Sequence, residues 1–223
     1  LKKNKNINLK LLVSGSHLIK TYGESIKEIK QDKIKIFKKI KINYLNDSKY
    51  SICDYNLTMS KAINKDREYI ILNLKSEINK KNYLYFKKLI NERSKGKPIA
   101  YLTNKKFFWK YEFDIIENVL IPRPDTEIII EQVINVYKNK NKINFLEIGV
   151  GSGCVLLSIL KEKKNFLATG IDVSNYALKI CKINAFKLGV KNRVKLFKSD
   201  IDNFSNGKYD LIISNPPYIK KLD

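Results

Sequence analysis

Asn215-Pro216-Pro217-Tyr218 is the stretch whose residue types are best suited to chemistry, and it follows the apolar run from Tyr209 to Ser214. Proline has no N–H for a strand ladder, so the two prolines predict a buried strand that stops abruptly in a stiff loop. The Asn215 carboxamide and the proline carbonyls supply acceptors, and Tyr218 offers a flat face. These groups suit a planar NH2 group, although an Asn-Pro pair alone is better explained as a rigid turn.

A glycine loop precedes this stretch in Glu147-Ile148-Gly149-Val150-Gly151-Ser152-Gly153, with glycine at every second position. Glycines let a ligand lie against the backbone and bring a helix N-terminus close to it. The spacing differs from the Gly-x-Gly-x-x-Gly of dinucleotide sites, which seats a pyrophosphate. Because Glu147 adds a negative charge beneath the loop, the pattern favours a ligand with positive charge.

Two aspartates end the next two predicted strands. Asp172 lies about 20 residues beyond the glycines, where a carboxylate can accept hydrogen bonds from both ribose hydroxyls. Asp200 ends the third strand and can accept from an adenine amino group. A nucleoside with a cationic tail describes S-adenosylmethionine, which we therefore predict as the cofactor.

The elements that must position these groups alternate between strand and helix. Apolar runs predict strands at 142–148, 166–173, 193–198 and 209–214, with helices at 153–160 and 176–188. Such an order predicts a parallel sheet with right-handed crossovers. Ligands bind at the carboxyl ends of strands in open sheets of this kind, and all four groups follow a strand.

The first part of the chain has a different pattern. Apolar residues recur at helical spacing from residue 33 to 40, from 48 to 59, from 66 to 74 and from 82 to 93, which predicts a small helical bundle. We expect residues 1–30 to be poorly ordered. Aromatic and β-branched residues at 99–102 and 107–115 then predict a β-hairpin.

Pro122-Arg123-Pro124 follows the hairpin and predicts a stiff extended segment. An arginine held between prolines is a fixed positive charge, so Arg123 can face a ligand. Asp125 or Thr126 can cap the helix predicted at 127–137.

Composition narrows the function classes. The chain has 223 residues with 43% hydrophobic content, which is enough for a sizeable core. His17 is the only histidine, and Cys53, Cys154 and Cys181 form no Cys-x-x-Cys pair, so we expect neither a metal site nor a His-dependent triad. No run approaches the ~18 apolar residues of a membrane span, and we expect a cytoplasmic chain with reduced thiols and no membrane contact.

The formal charge of +22 raises the possibility of a nucleic-acid partner. Nearly all of this charge is lysine, whereas bases and phosphates are read preferentially by the planar fork of arginine. Lysine is abundant even in predicted linkers. We therefore expect nucleic-acid contact only through nonspecific basic charge or on the ribosome.

The glycine loop, the two aspartates and Asn215-Pro216-Pro217-Tyr218 resemble class I S-adenosylmethionine-dependent methyltransferases that act on planar nitrogens. Three further stretches narrow the resemblance: Arg93-x-x-Gly96-x-Pro98-x-x-Tyr101-Leu102, the hairpin with Phe108, and residues 120–127. The set is similar to the HemK/PrmC family, which methylates the glutamine amide in the Gly-Gly-Gln loop of peptide chain release factors.

The resemblance implies an α/β fold with a Rossmann-like class I methyltransferase sheet of strand order 3-2-1-4. It divides the chain into a helical bundle at 1–95 that docks the substrate protein, a β-hairpin linker at 96–121 and a cofactor-binding methyltransferase domain at 122–223. Folds of this family continue with further strands beyond the Asn215 loop. We therefore expect the sequence to be truncated at its C-terminus.

The resemblance also implies roles for individual residues. The cofactor would be bound by Glu147, Gly149, Gly151, Gly153, Asp172, Asp200 and Asn215. The substrate glutamine would contact Asn215, Pro216, Pro217, Tyr218, Phe108 and Arg123, with catalysis by Asn215, Pro216 and Tyr218. A release factor would be the partner of a monomeric enzyme.

Two departures and two alternatives accompany this interpretation. Asn104 and Lys110 stand where the family usually has glycine; asparagine tolerates a left-handed backbone, whereas Lys110 would need a different backbone or a strained one. One alternative is a nucleic-acid adenine-N6 methyltransferase, which shares the Asn-Pro-Pro-Tyr stretch. The other is a non-catalytic fragment that binds cofactor or release factor without turnover.

Overall fold

The structure is a computed structural model that describes residues 11–14, 36–40, 52–73 and 77–216, with side chains described from residue 56 onward. Strand β1 (Leu11–Ser14) pairs in parallel with strand β2 (Ile36–Ile40). The helix predicted for residues 33–40 is therefore wrong. Isoleucine and lysine alternate around Ile34 and Ile36, so a period of two fits this short run as well, and β-branched residues favour a strand.

The predicted helices after residue 50 are confirmed, and they are α1 (Ile52–Ile63), α2 (Arg67–Leu72) and α3 (Lys80–Ser94). Side-chain oxygens cap two of them. Asp66 Oδ1 accepts from the Tyr69 N–H at 2.7 Å, and Asn79 Oδ1 accepts from the Asn82 N–H at 2.9 Å. Such caps satisfy backbone donors that a helix leaves unpaired in its first turn.

The stretch predicted as the first hairpin strand, 99–102, is instead a helix, α4 (Ile99–Thr103). Pro98 precedes the first turn, where its missing N–H costs nothing, and Thr103 Oγ1 donates to the Ile99 carbonyl at 2.9 Å. Leu102 is buried in a small core with Ala62 and Leu89. Burial against α1 and α3 thus outweighs the β-propensity of the sequence.

The hairpin is formed by β3 (Lys105–Phe108) paired antiparallel with β4 (Tyr111–Asp114), so it begins two residues before the second predicted stretch and otherwise lies within it. Asn104 takes the left-handed conformation after α4 with φ 61°, as its tolerance predicts. At the hairpin turn Trp109, with φ 57°, takes this conformation, and Lys110 does not. Lys110 therefore has the different backbone that was one of the two predicted alternatives, and the left-handed residue of the turn is Trp109.

The central sheet has four parallel strands, namely β5 (Asn144–Ile148), β6 (Leu167–Asp172), β7 (Val194–Lys198) and β8 (Leu211–Ser214). Their order is β7-β6-β5-β8, which confirms the predicted order 3-2-1-4. Within the described residues, β8 pairs with β5 alone. The helices α5 (Glu127–Val136), α6 (Cys154–Glu162) and α7 (Asn175–Lys187) occupy the predicted positions.

The hairpin shares its core with the sheet. Phe108, Phe113 and Ile115 are buried in one cluster with Phe145 of β5 and Leu156 of α6. The division into units at 1–95, 96–121 and 122–223 stays a prediction. None of the helices in the described part of the chain is long and apolar enough to cross a membrane.

Candidate active site

The glycine loop joins β5 to α6 at the carboxyl edge of the sheet. The N–H groups of Gly149 and Val150 donate to the Ile171 carbonyl at 2.9 and 3.1 Å, which fixes the loop on β6. A Cβ added at Gly149 or Gly151 would meet no atom within 4 Å, whereas one at Gly153 would lie 2.6 Å from Cys181 Sγ. The first two glycines therefore leave open space for a ligand, and Gly153 lets α6 pack against α7.

Glu147 lies beneath this loop with 4% of its surface exposed. Its Oε2 accepts from the Leu156 N–H, in the first turn of α6, at 2.9 Å. The pKa of Glu147 is raised to about 8, chiefly by burial and to a smaller extent by the charge of Asp172, against the opposing effect of this hydrogen bond. The raised pKa favours the neutral carboxyl group, and a cation beside Glu147 would favour the predicted negative charge.

Asp172 ends β6 and braces the glycine loop. Its Oδ2 accepts from the Gly151 N–H and its Oδ1 from the Ser174 N–H, both at 2.9 Å. A carboxylate oxygen has two lone pairs, so each oxygen keeps one for a further donor. The geometry is compatible with ribose hydroxyls as those donors.

Asp200 lies two residues beyond β7 at the same edge of the sheet, and its side chain is exposed. Its Oδ1 accepts from the backbone N–H and from the side-chain Nδ2 of Asn203, at 2.9 and 2.7 Å. The main-chain N–H of Ser199 donates to the Asp172 carbonyl at 3.2 Å, which joins the ends of β6 and β7. Asp172 and Asp200 thus lie at the carboxyl edge of the sheet, as the sequence predicts. The contact of Asp200 with adenine stays a prediction.

Asn215 follows β8 directly and is half-buried. Its Nδ2 donates to Thr126 Oγ1 at 3.2 Å. The preceding Ser214 Oγ donates to the Ile148 carbonyl at 3.4 Å, so this loop lies beside the start of the glycine loop. Pro216 is exposed, and the predicted site residues Pro217 and Tyr218 lie outside the described residues.

Thr126 is a residue whose role the sequence did not reveal. It ends the 3₁₀ turn Pro124–Thr126, and its N–H donates to the Arg123 carbonyl at 3.0 Å. The predicted side-chain cap of α5 is wrong for Thr126, because this residue occupies the N-cap position but makes no capping hydrogen bond with its side chain. Its hydroxyl accepts from Asn215 instead. Arg123 is half-buried, and its contact with substrate stays a prediction.

Phe108 is only 1% exposed, and its ring meets that of Phe113 edge-on, with centroids 6.2 Å apart. It therefore lies in the core in this structure, and the predicted contact with substrate is untested. The residue beside it, Trp109, donates its N–H to Glu127 Oε1 at 2.7 Å, at the start of α5.

Two further side chains that the sequence did not single out fix the hairpin. Asn184 of α7 is 1% exposed; its Oδ1 accepts from the Asp114 N–H at 2.8 Å, and its Nδ2 donates to the Ser152 carbonyl at 2.9 Å. This carboxamide joins the hairpin to the glycine loop. The sequence does contain a sign of this role. Asn184 is a polar residue on the apolar face of α7, and Ile180 and Cys181 lie on the same face.

Glu162 ends α6 and binds the hairpin turn. It accepts from Trp109 Nε1 at 2.9 Å, from Lys110 Nζ at 3.0 Å and from the Tyr111 hydroxyl at 3.1 Å. Burial acts to raise the pKa of Glu162, but these three donors together hold it below the usual value. The hairpin is thus attached to α5, α6 and α7 by polar contacts as well as through the core.

Two family profiles match this chain. "PrmC N-terminal domain" covers residues 43–103, and "Methyltransferase small domain" covers residues 125–223. The release factor glutamine methyltransferase of Buchnera aphidicola subsp. Schizaphis graminum is 37% identical over 80% of this chain and 63% of its own length. That of Buchnera aphidicola subsp. Acyrthosiphon pisum is 36% identical over 82% and 64%. The protein of the same name from Clostridium acetobutylicum is 36% identical over 75% and 60%.

The chain is thus similar to release factor glutamine methyltransferases over most of its own length. This similarity confirms the resemblance seen in the sequence, and the strand order of the central sheet confirms the predicted Rossmann-like fold. The chain spans 63% and 64% of the length of the two Buchnera relatives.

The residues present fit S-adenosylmethionine. No atom lies within 4 Å of a Cβ added at Gly149 or Gly151, so a ligand has room there. Among the described residues each oxygen of Asp172 has one donor and can accept from another. Glu147 can become negative beside a cation. These three features match, in order, a ligand lying on the loop, a ribose and a positively charged tail. In the described part of the chain, no group of three or more His, Cys, Asp or Glu residues is arranged to hold a metal ion.

Proposed function

We propose that the full-length protein containing this chain transfers a methyl group from S-adenosylmethionine to the side-chain amide nitrogen of the glutamine in the Gly-Gly-Gln motif of a peptide chain release factor. One observation carries this proposal. The Asn215 carboxamide lies at the carboxyl edge of the sheet next to the glycine loop, with its Nδ2 held by Thr126 at 3.2 Å. Its oxygen has no donor among the described residues and is available to a substrate NH2 group.

The pairing of neighbouring strands supports a close approach of the methyl donor and the Asn215 carboxamide. β5 leads into the glycine loop and β8 leads into Asn215, and the two strands pair in register from Phe145 and Leu211 to Ile148 and Ser214. Neighbouring strands of a sheet lie about 4.8 Å apart. The glycine loop and Asn215, which follow the ends of β5 and β8, therefore start from adjacent positions at the edge of the sheet. When bound, S-adenosylmethionine supplies an electrophilic methyl group on a positively charged sulfur.

The chemistry required of the protein is mainly orientation. An amide nitrogen is a poor nucleophile because its lone pair is delocalised into the carbonyl. Asn215 Oδ1 and the Pro216 carbonyl would accept the two amide hydrogens, and these bonds strengthen as the nitrogen becomes pyramidal and more positive in the transition state. Fixed acceptors also hold the nitrogen in line with the methyl group. Proton loss can follow methyl transfer, so the scheme needs no strong base.

This similarity supports the same substrate and partner. The three relatives described above are named release factor glutamine methyltransferases. A release factor as partner would place the activity in the cytosol, where translation terminates. The helices before residue 95 are the region that we propose to dock the release factor, consistent with the match of residues 43–103 to the PrmC N-terminal domain.

The test is transfer of a labelled methyl group from S-adenosylmethionine to a purified release factor by the full-length protein. We expect label on the glutamine of the Gly-Gly-Gln motif, located by mass spectrometry of the peptide. A release factor in which that glutamine is replaced by alanine is the matched control and should take no label. Label on a different residue, or on a different macromolecule with none on the release factor, would refute the proposal.

Adenine-N6 methylation of a nucleic acid is the second candidate, and the charge of +22 favours it. An adenine amino group is also a planar NH2 that Asn215 could hold. Lys138, Lys140, Lys163 and Lys164 line an open cavity that could bind phosphates. However, this cavity lies near the amino ends of β5 and β6, opposite the proposed site, so phosphates bound there would not present a base to Asn215. Transfer of label to DNA or RNA rather than to the release factor would decide for this candidate.

A further inference from the structure

We propose that Thr126 is a positioning residue that orients the Asn215 carboxamide, so that its oxygen faces the amine to be methylated. This inference rests on the proposed function in that it assigns Asn215 to the substrate amine. It concerns the segment before α5, which the sequence connects only with helix capping and with Arg123. The two residues are 89 positions apart in the sequence, and their side chains meet at 3.2 Å between Nδ2 and Oγ1.

The orientation of a carboxamide matters because its two ends are nearly identical in shape and opposite in chemistry. The oxygen accepts hydrogen bonds and the NH2 group only donates them. Turned by half a rotation, Asn215 would present its own NH2 to the NH2 of the substrate, and neither group could accept from the other. A hydroxyl can accept from the NH2 group or donate to the oxygen. In this structure Thr126 accepts from Asn215 Nδ2, and this orientation leaves the oxygen to face the amine.

The backbone of Thr126 is well placed to provide that contact. Its N–H donates to the Arg123 carbonyl at 3.0 Å within the 3₁₀ turn, and α5 begins at the next residue. By contrast, Asn215 follows β8, which pairs with β5 alone among the described strands. We therefore infer that Asn215, which is less constrained, takes its orientation from Thr126.

The capping geometry supports this direction of dependence. A threonine at the N-cap usually accepts from a backbone N–H of the first helical turn, a bond worth about 1 kcal/mol. Thr126 occupies the N-cap position of α5 without making that bond, and its hydroxyl contacts Asn215. The side chain is therefore placed for the loop after β8 and not for the helix that it precedes.

The kinetic test compares two substitutions in the full-length protein. Thr126→Val keeps the shape of the side chain and removes the hydroxyl, and we expect it to lower kcat roughly tenfold, as the loss of one partly buried hydrogen bond would. Thr126→Ser keeps the hydroxyl and should remain within about twofold of the wild type. The dissociation constant for S-adenosylmethionine should change by less than about twofold in both variants, because neither removes a proposed cofactor contact.

A double-mutant cycle tests whether Thr126 acts through Asn215. In the Asn215→Ala background, Thr126→Val should lower kcat no further, because the group that it orients is already absent. A full additional loss of kcat in that background would overturn the proposal. It would also be overturned if Thr126→Val weakened cofactor binding and left kcat unchanged, since Thr126 would then be a cofactor ligand.

A spectroscopic measurement keeps the inference testable whatever the substrate is. In ¹H–¹⁵N spectra the side-chain NH2 signals of Asn215 can be assigned by their absence in Asn215→Ala. We expect Thr126→Val to shift these signals and Thr126→Ser to preserve them; unchanged signals in Thr126→Val would overturn the proposal. If the release factor takes no label, the proposed function fails, and these signals still decide whether Thr126 holds Asn215.

Discussion

The cofactor half and the substrate half of the carboxyl edge are held in different ways. The cofactor half, at the ends of β5 and β6, is a closed network: Asp172 accepts from two backbone N–H groups, Glu147 accepts from a third, and Asn184 donates to the Ser152 carbonyl. The substrate half, at the end of β8, has the contact between Asn215 and Thr126.

Because of this difference, we expect one half to contribute mainly to stability and the other mainly to turnover. A buried network with satisfied partners stabilises one loop conformation before any ligand arrives. An amide with a single hydrogen bond among the described residues contributes little to folding through that bond, but it can contribute strongly to a transition state. Substitutions in the cofactor half should therefore affect folding or cofactor affinity, and those in the substrate half should affect kcat.

The largest effect is expected from Gly153→Ala, in the cofactor half. Gly153 has φ +82°, and an added Cβ would lie 2.6 Å from Cys181 Sγ and 2.8 Å from Leu157 Cδ1. Left-handed strain and overpacking together should lower the free energy of unfolding by about 3 kcal/mol or more. Chemical denaturation monitored by circular dichroism measures this change.

Gly149→Ala is the matched control for this substitution. Gly149 has φ +72°, but an added Cβ meets no atom within 4 Å. Only the backbone strain remains, so the loss should be about 1–2 kcal/mol. Equal losses in the two variants would show that packing between α6 and α7 does not explain the glycine at position 153.

Asn215→Ala should give the next largest effect, and it tests the other side of the comparison. Removing an acceptor whose bond strengthens in the transition state typically lowers kcat roughly 100-fold. The dissociation constant for S-adenosylmethionine and the denaturation midpoint should change little. Steady-state kinetics together with calorimetry separate these quantities. Equal losses of turnover and cofactor affinity would argue against the acceptor role.

The same comparison explains what the sequence could predict. The parallel sheet and the grouping of Gly149, Asp172 and Asn215 at one edge follow from alternating apolar runs and the polar residues that end them, which are local signals. The prediction of the strand order rests on the family resemblance instead. The contacts between Thr126 and Asn215 and between Asn184 and Ser152 join residues that are distant in sequence. No local periodicity encodes them, so they emerge only from the fold.

The wrong predictions have a related cause. The stretch 99–102 has a strand-like composition, and its burial beside Ala62 and Leu89 decides for a helix. Thr126 has the residue type and the position of a helix cap, and the neighbouring loop engages its hydroxyl instead. In both cases tertiary packing overrides a correct local propensity.

A smaller effect is expected from pH, through Glu147. Its pKa is raised to about 8 in the folded protein, above the ordinary value near 4.5, so the folded state holds a proton that the unfolded state releases. This contribution to stability is fully present below the unfolded value and is lost as pH rises through about 8. Between pH 6 and pH 8.5 the free energy of unfolding should fall by about 2 kcal/mol.

Glu147→Gln isolates this contribution, because glutamine keeps the shape and can still accept from the Leu156 N–H. Denaturation curves at several pH values should show a steeper decline for the wild type than for the variant. Parallel curves would mean that Glu147 is already ionised in the free protein. The cofactor half would then carry a permanent negative charge beneath the glycine loop.

The smallest effect is expected from Asp172→Ala, which should weaken S-adenosylmethionine binding roughly tenfold while kcat at saturating cofactor changes little. Asp172 also braces Gly151 and Ser174, so weaker binding alone would not identify the ribose as its ligand. A cofactor analogue without ribose hydroxyls, measured by calorimetry, makes that distinction. If Asp172 accepts from the hydroxyls, the analogue should bind the wild type more weakly than S-adenosylmethionine does, and Asp172→Ala should bind the two nearly equally. If both proteins lose the same affinity for the analogue, Asp172 acts only on the loop, and the cofactor half is held by its internal network alone.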